Sequence, residues 1–264
     1  MAEIIVVANQ KGGVAKTTTT FNLASSLRAM GKRVLAVDFD HQGNLTSCLA
    51  KEGKQSIDMT IADLMNICIE SEDEMVLPEK SEYIYDCDGV DFIGSNRALS
   101  TIEAKLLAEA GGERTLAEII EPLRDDYDYI LIDTNPSLGI LTINALAVAD
   151  DVMITVSPQY FSLEGLDDLI KSIVKVRKRI NPKLGISGIC LTMCHFRTKL
   201  YRRVYQDLME YTADRIKIFD SKIPYTIKVG ESLYAGENVA EYSATSPASI
   251  AYQSLAKEEV VSCE

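Results

Sequence analysis

A pair of glycines between two lysines is the part of the sequence best suited to chemistry. The segment QKGGVAKTTT, residues 10–19, follows an apolar run and opens a stretch with helical periodicity. In that context the backbone N–H groups and the positive helix terminus point at a bound anion. Gly12 and Gly13 let the main chain approach phosphate oxygens without a side-chain clash. Lys16 would neutralise the β- and γ-phosphates of a nucleotide, and the Thr17 hydroxyl would ligate Mg²⁺.

Two carboxylates follow predicted strands, at positions that a parallel sheet would bring near this loop. Asp40 follows the apolar run 34–38, and Asp133 follows the run 129–132. Ligands of open α/β sheets bind at the carboxyl ends of the strands, so Asp133 suits an outer-sphere carboxylate of Mg²⁺. The alternative is an aspartate that ends a strand without any chemical role. Two such strand ends beside a phosphate loop favour the chemical interpretation.

The elements that must position these residues alternate along the chain. Short apolar runs rich in β-branched residues alternate with helix-like stretches, which indicates a mostly parallel sheet with helices on both faces. We therefore predict a single α/β domain over residues 1–264, with an acidic, irregular excursion over about 56–82. Helices are clearest over 17–30, with Gly31 as C-cap, and over 163–180. The predicted strands cover residues 4–8, 34–38, 90–93, 129–132, 152–156 and 188–193.

The composition argues against several classes of protein. Apolar residues make up 47% of the chain without any long uninterrupted run, so we expect neither a membrane span nor a secretion signal. The net charge of −12 argues against a surface coated in positive charge for nucleic acid, yet allows a local basic patch. The six cysteines include one close pair, Cys190 and Cys194, and their spacing favours reduced thiols over a metal or iron–sulfur site.

The loop departs from the common phosphate-loop pattern G-x-x-x-x-G-K-[ST], because Gln10 and Ala15 replace its two glycines. Its Lys11-Gly-Gly-x-x-Lys16-Thr sequence instead resembles the deviant Walker A motif of the ParA/MinD superfamily of dimerising ATPases. The resemblance implies ATP and Mg²⁺ as cofactors. It also implies that Lys11 reaches across a dimer to the partner's nucleotide and offsets charge during phosphoryl transfer. The implied nucleotide contacts are Lys11, Gly12, Gly13, Val14, Ala15, Lys16, Thr17 and Thr18.

Ala15 stands where this superfamily most often has glycine. Position 15 begins the predicted helix, where an ordinary negative φ suits alanine. We therefore expect a negative φ at Ala15 and no loss of function.

Further segments extend the resemblance along nearly the whole chain. Residues 37–44, VDFDHQGN, are similar to the superfamily's D-x-D-P-Q-G-N segment, with His41 in place of the proline. Residues 127–139 are similar to its Y-D-x-I-x-I-D-x-P-P-S-L-G stretch. The resemblance implies that Asp40 helps to hold Mg²⁺ and the attacking water, and that Ile223 and Pro224 line the adenine. It implies metal contacts from Thr17, Asp40 and Asp133, and catalytic roles for Lys11, Lys16 and Asp40.

Within the superfamily the chain is most similar to the short, Soj-like form of the DNA-partition ATPases, because we find no helix-turn-helix region near its start. Members that bind membrane end in a basic amphipathic helix, whereas this chain closes with acidic LAKEEVVSCE, so we expect no membrane binding. The resemblance implies a cytoplasmic protein that is an ATP-dependent homodimer and is associated with the nucleoid when ATP is bound. It also implies non-specific DNA binding and stimulation by a ParB-like centromere-binding protein.

A basic patch is required for such DNA binding. Arg197 and Lys228 align with basic positions that relatives use for DNA. The lysines around Lys171 are explained equally well as ordinary solvated surface residues. Tyr225 and His195 depart from the family, since relatives usually have arginine and aspartate there. The candidates for DNA contact are Lys171, Lys175, Lys178, Arg197, Lys199, Arg202, Arg203 and Lys228.

Two other functions stay open from the sequence. One is a positioning or scaffold ATPase of the same superfamily, which localises a protein cargo without binding DNA. The other is an ATP-driven reductase or metal-cluster carrier, for which the cysteines offer no matching arrangement.

Overall fold

The computed structural model describes residues 1–51, 55–71, 76–159, 161–213 and 215–263. The strands in these residues are β1 (Glu3–Ala8), β2 (Val34–Phe39), β3 (Tyr85–Cys87), β4 (Val90–Ile93), β5 (Tyr129–Thr134), β6 (Asp151–Val156) and β7 (Gly188–Leu191). They form one sheet in the order β3-β4-β2-β5-β1-β6-β7. Every neighbouring pair is parallel except β3 and β4, which pair antiparallel at one edge.

Helices lie on both faces of this sheet. Among the described helices none is long and apolar enough to cross a membrane. They are α1 (Lys16–Ala29), α2 (Asn44–Leu49), α3 (Ile61–Glu70), α4 (Lys80–Tyr83), α5 (Leu99–Ala108), α6 (Thr115–Ile120), α7 (Ile140–Val148), α8 (Leu163–Arg179), α9 (Lys199–Thr212), α10 (Ile227–Ala235), α11 (Val239–Tyr242) and α12 (Pro247–Cys263), with short 3₁₀ turns at Gly112–Arg114 and Glu121–Leu123.

The central strands are buried on both faces, which explains why they stand out in the sequence as continuous apolar runs. Successive side chains of β1 point to opposite faces. Ile4 and Val6 belong to the core that also includes residues of α7 and α8, whereas Ile5 belongs to the core under α1 and α12.

The order of the strands brings the phosphate-loop segment to the middle of the sheet. β1 lies between β5 and β6, so the loops that follow these strands emerge side by side at the carboxyl edge. α1 follows β1 and ends at a left-handed Gly31 with φ of 83°. The Gly31 N–H donates to Arg28 O at 2.8 Å and the Lys32 N–H donates to Leu27 O at 3.2 Å, the pattern of a Schellman cap.

The predicted fold class is confirmed, and all six predicted strands are present. β5 continues to Thr134, which places Asp133 inside the strand. β7 ends at Leu191, and Met193 beyond it has a positive φ of 50°. β3 was not predicted, because three residues carry too little alternation to indicate a strand.

The expectation of an irregular segment over 56–82 is wrong for residues 61–70, which form α3, and for residues 80–82, which lie in α4. A capping box begins this helix, and in it the Thr60 N–H donates to Asp63 Oδ2 at 2.8 Å. Ile61, Leu64 and Met65 on the inner side are fully buried. The acidic residues around the segment had hidden this apolar stripe. Three of them, at positions 72–74, lie outside the described residues.

Candidate nucleotide-binding site

The segment between β1 and α1 is held in place by hydrogen bonds within itself, to β6 and to the residue that follows β7. Asn9 Oδ1 accepts from the Lys11 N–H at 2.8 Å, and Asn9 Nδ2 donates to Thr155 O in β6 at 2.5 Å. Thr192, the residue after β7, donates from Oγ1 to Val14 O at 3.0 Å. The loop is therefore fixed by the sheet before any ligand binds.

Ala15 adopts a left-handed conformation, with φ of 63° and ψ of 32°. The expected negative φ is wrong, because the helix begins one residue later, at Lys16. Gly13 is also left-handed, with φ of 71°. A residue with a Cβ carries a strain of about 1–2 kcal/mol in this region, which explains the preference for glycine at the position.

A cleft of about 550 Å³ opens above the loop, within the usual size range for small-molecule sites. Its other walls come from the segment after β2, from Pro136 and from Met193. Gln42, Asn44, Ser47 and Cys48 also line it. The sequence analysis assigned no role to any of the four, although Gln42 and Asn44 lie in the segment 37–44. The residues that were predicted from the sequence and line the cleft are Gly12, Gly13, Ala15, Lys16, Thr17, Thr18 and Asp40.

A buried lysine of the cleft, Lys16, and a buried aspartate, Asp133, influence each other electrostatically. Thr17 Oγ1 donates to Asp133 Oδ2 at 2.6 Å, and Asp133 Oδ1 is buried without a hydrogen-bond partner among the described residues. Burial raises the pKa of Asp133, and the neighbouring Asp38 carboxylate adds to the effect. Burial lowers the pKa of Lys16, although Asp133 and Asp40 oppose that shift. Burial therefore disfavours the charged form of both side chains.

Asp38 has a supporting position that the sequence analysis did not assign. Its Oδ2 accepts from the Thr46 N–H and the Thr46 hydroxyl, each at 2.7 Å, and its Oδ1 accepts from the Asp40 N–H at 3.2 Å. Asp40 Oδ1 accepts from the Gln42 N–H at 3.0 Å and lies 3.6 Å from His41 Nδ1, which is too long for a hydrogen bond. Asp38 therefore fixes the turn that carries Asp40 to the cleft.

A smaller cavity of about 170 Å³ adjoins the cleft. Ala15, Thr18 and Met193 line both spaces. Ile223 and Pro224, predicted to lie near adenine, line the smaller one. The loop 223–226 reaches this place because the Cys194 N–H donates to Ile223 O at 2.9 Å, directly after β7.

Lys11 differs from Lys16 in the side of the loop that it faces. Lys16 is 7% exposed and lines the cleft, whereas Lys11 is exposed and borders a separate pocket of about 260 Å³ next to Phe161 and Ser162. The Lys11 ammonium makes no ion pair with any of the residues that the structure describes. Its charge is therefore available at the surface.

The predicted DNA contacts fall into separate groups. Arg197, Lys199, Arg202 and Arg203 lie together at the start of α9, while Lys175 lies on α8 and lines a groove between α7 and α8. Lys171 pairs with Asp167 Oδ2 at 2.5 Å, and Asp167 Oδ1 accepts from the Tyr211 hydroxyl at 2.9 Å. Since Tyr211 is eight residues beyond Arg203 on α9, about 12 Å of helix separates Lys171 from the arginines. Lys228 pairs with Glu231 at 2.8 Å.

The residues at the cleft fit a magnesium nucleotide. Backbone N–H groups at a helix N-terminus and a buried lysine suit phosphate. The Thr17 hydroxyl, the Asp40 carboxylate and the unpartnered Asp133 Oδ1 offer the oxygen ligands that Mg²⁺ prefers, directly or through water. The fold and the cleft together define a nucleotide-binding protein of the P-loop class.

Comparisons with known proteins agree with this class and narrow it. A family model described as an AAA domain matches residues 2–186. The sporulation initiation inhibitor protein Soj of Bacillus subtilis is 37% identical, over 98% of this chain and 98% of its own. The chromosome partitioning protein ParA of Caulobacter vibrioides is 36% identical, over 97% of this chain and 93% of its own. The chain belongs to the ParA/Soj family of ATPases.

A solved structure with bound ligands supports the cofactors expected from the sequence. The cobyrinic acid a,c-diamide synthase of Mycobacterium smegmatis, solved with an ATP analogue and magnesium, superposes with a TM-score of 0.80 at 31% identity. The match covers 97% of this chain and 93% of that one.

Proposed function

We propose that this protein is a Mg²⁺-dependent ATPase that dimerises on ATP, binds DNA without sequence specificity and drives plasmid or chromosome partitioning. The observation that carries the proposal is the pair of lysines on opposite sides of one phosphate loop, Lys16 in the cleft and Lys11 at the surface. A second lysine directed away from its own cleft suits a nucleotide that two subunits share. The similarity to Soj and ParA along the whole chain supports the same function.

The residues of the cleft divide the work of binding and hydrolysis in this proposal. The backbone from Gly12 to Thr18 holds the phosphates, Lys16 neutralises their charge, and Ile223 and Pro224 line the adenine. Thr17, Asp40 and Asp133 hold Mg²⁺, which when bound offsets negative charge on the phosphates. The Asp40 carboxylate orients the attacking water. Lys11 offsets charge on the partner subunit's nucleotide, so hydrolysis requires the dimer.

DNA binding is assigned to the basic residues at the start of α9, with Arg197, Arg202 and Arg203 contacting phosphates. A smaller contribution to the positive electrostatic potential comes from Lys171, Lys175 and Lys228. Lys171 and Lys228 are ion-paired, and Lys175 lies on α8 rather than α9. We place the protein in the cytoplasm, on the nucleoid when ATP is bound. A ParB-like centromere-binding protein would stimulate its slow intrinsic hydrolysis.

A positioning ATPase that carries a protein cargo without DNA is the second candidate. The specific observations in its favour are the net charge of −12 and the acidic partners of Lys171 and Lys228. These features reduce the attraction of duplex DNA.

Duplex DNA titrated against the protein with a slowly hydrolysed ATP analogue, at several salt concentrations, separates the two functions. The partition function predicts binding that weakens steeply with salt, and Arg202→Ala should lower the magnitude of the salt slope by about 1. The matched control is Lys183→Ala, because Lys183 is exposed before β7, at the amino end of the strands, whereas Arg202 follows the carboxyl end of β7. Full dimerisation and ATP turnover without any affinity for duplex DNA would favour the positioning function instead.

A further inference from the structure

Two segments are strongly basic in an otherwise acidic chain. Residues 192–206 contain four cations and residues 221–230 contain two, and neither segment contains an acidic residue. The whole chain, by contrast, has 39 acidic and 27 basic residues. A polyanion approaching this protein would therefore be drawn to these two segments.

The structure places the two segments side by side. The Cys194 N–H donates to Ile223 O at 2.9 Å, and the Tyr225 N–H donates to Cys194 O at 3.1 Å. The rings of His195 and Tyr225 lie against each other, with centroids 4.5 Å apart and an interplanar angle of 30°. We call residues 195–203 with 225–228 the aromatic–basic surface.

Aromatic rings are exposed on this surface, although chains usually bury them. Tyr225 is 52% exposed and Phe196 is 45% exposed. Each of the two rings rests on a second ring. Tyr225 lies against His195, and Phe196 meets Tyr201 edge-on with centroids 5.2 Å apart. Tyr201 in turn stacks with Tyr205, with centroids 6.1 Å apart. The supporting rings restrict the rotamers of Phe196 and Tyr225, so little conformational entropy remains to be lost when a ligand covers them.

Four of the five cations of the aromatic–basic surface are free to bind a ligand, whereas Lys228 pairs with Glu231. Arg197, Lys199, Arg202 and Arg203 make no ion pair with any residue in the described part of the chain. Three of these four are arginines, whose planar guanidinium binds phosphate through two hydrogen bonds and stacks on rings. Exposed flat rings beside unpaired arginines suit a ligand that has both planar bases and phosphates.

We propose that the aromatic–basic surface binds single-stranded nucleic acid, with bases stacked on Tyr225 and Phe196 and phosphates on the arginines. This inference rests on the DNA-binding function proposed above and adds a second kind of substrate to the same surface. Duplex DNA keeps its bases stacked inside the helix, so it offers phosphates and groove edges but no free base face to the two rings. Unpaired bases each present a free face, and stacking on aromatic side chains is tolerant of sequence.

The test is fluorescence anisotropy of a labelled oligothymidylate of about 20 nucleotides, set against a labelled duplex of the same length. The full chain is used, with saturating slowly hydrolysed ATP analogue. Phe196→Ala and Tyr225→Ala should each weaken binding of the single strand about tenfold and leave the duplex within about twofold. Tyr225→Phe should bind the single strand like the wild type, because the ring is kept. Arg202→Ala should weaken both ligands.

Three controls make the result specific. Nucleotide affinity is measured for Tyr225→Ala, because Tyr225 also lines the smaller cavity, whereas Phe196 lines none of the cavities described above. Tyr234→Ala removes a tyrosine that is 86% exposed outside the aromatic–basic surface and should change neither ligand. Vesicles of anionic phospholipid test whether exposed Leu200 and Ile227 make this a lipid surface instead.

Four further outcomes decide whether the inference stands. Duplex binding without single-strand binding overturns the inference and leaves the partition function standing. Single-strand binding without duplex binding supports the inference and contradicts the partition function. The inference is also overturned if both alanine variants hold the single strand as tightly as the wild type, or if vesicles bind and the oligonucleotide does not.

Discussion

At the scale of single residues, Asp38 and Asp40 lie two positions apart and have different environments. Asp38 is buried beneath the cleft, where desolvation raises its pKa to about 6 despite hydrogen bonds from Thr46. Asp40 lines the cleft itself. A carboxylate that orients water must remain charged and within reach of the substrate. Asp40 lies where it can reach a ligand in the cleft, which suits the water-orienting role proposed for it, while Asp38 positions the turn.

Removing only the charge of Asp40 should separate binding from turnover. Asp40→Asn keeps an acceptor for the Gln42 N–H, so the turn should persist. We expect ATP affinity and dimerisation near those of the wild type and turnover lowered about 100-fold or more. Lys16→Ala is the contrasting variant, since losing the buried ammonium should weaken nucleotide binding itself. Calorimetric titration with ATP and a phosphate-release assay measure the two effects. Normal turnover in Asp40→Asn would show that the carboxylate has no catalytic role.

The left-handed Ala15 predicts a stabilising substitution inside the phosphate loop. Ala15→Gly should relieve about 1–2 kcal/mol of strain and lose part of it to the greater freedom of glycine when unfolded. The expected net gain is about 1 kcal/mol, or about 2–4 °C in Tm for a chain of this size. Ala29→Gly, in the ordinary helical region at the exposed end of α1, should have the opposite sign. A lower Tm for Ala15→Gly than for the wild type would contradict the strain.

At the scale of elements, α12 carries a carboxylate into the core. Glu259 is 0% exposed. Burial raises its pKa to about 7, and the nearby Glu3 adds to the effect, while a hydrogen bond from Ser187 and the charge of Lys217 oppose it. A raised pKa means that the folded state holds the proton more tightly than the unfolded state does. The contribution of Glu259 to the unfolding free energy is therefore fully present below about pH 4.5 and is lost as pH rises through about 7.

Glu259→Gln should remove this loss because the amide stays neutral. The unfolding free energy of the variant minus that of the wild type should rise by about 3 kcal/mol between pH 4 and pH 8. Urea unfolding followed by circular dichroism at both pH values gives that difference. Glu109→Gln is the control, because its carboxyl is exposed. A difference that is the same at both pH values would rule out a proton-linked cost at Glu259.

The elements also show how far the sequence predicts the fold and the site. Strands such as β2, buried on both faces, are recognisable because their apolar runs are continuous. α3 was missed because its charged surroundings outweighed a short apolar stripe. The hydrogen bond from Thr192 to Val14 O and the stack of His195 on Tyr225 join residues distant in sequence. No local pattern encodes such contacts, so only the folded chain reveals them.

At the scale of the whole molecule, the proposed function depends on two acidic subunits coming together. Each chain carries a formal charge of −12, and each nucleotide adds further negative charge near the shared face. Long-range repulsion between such subunits is screened at physiological salt. Repulsion between charges that are buried in a close contact is screened much less. Lys11 is exposed beside the phosphate loop and makes no ion pair within the described ranges, so it is well placed to offset that repulsion.

Lys11→Ala should therefore abolish dimerisation while leaving each subunit able to bind ATP, because Lys16 and the rest of the cleft are intact. Turnover should fall about 10³-fold or more, the size of effect expected when a cation acting across an interface is lost. Light scattering with and without a slowly hydrolysed ATP analogue measures the assembly. Lys11→Arg, which keeps the charge, should dimerise at least in part, and Lys183→Ala should behave like the wild type. If Lys11→Ala dimerises on the analogue as well as the wild type does, the loop lysine does not act across the interface, and the nucleotides must be shared in another way.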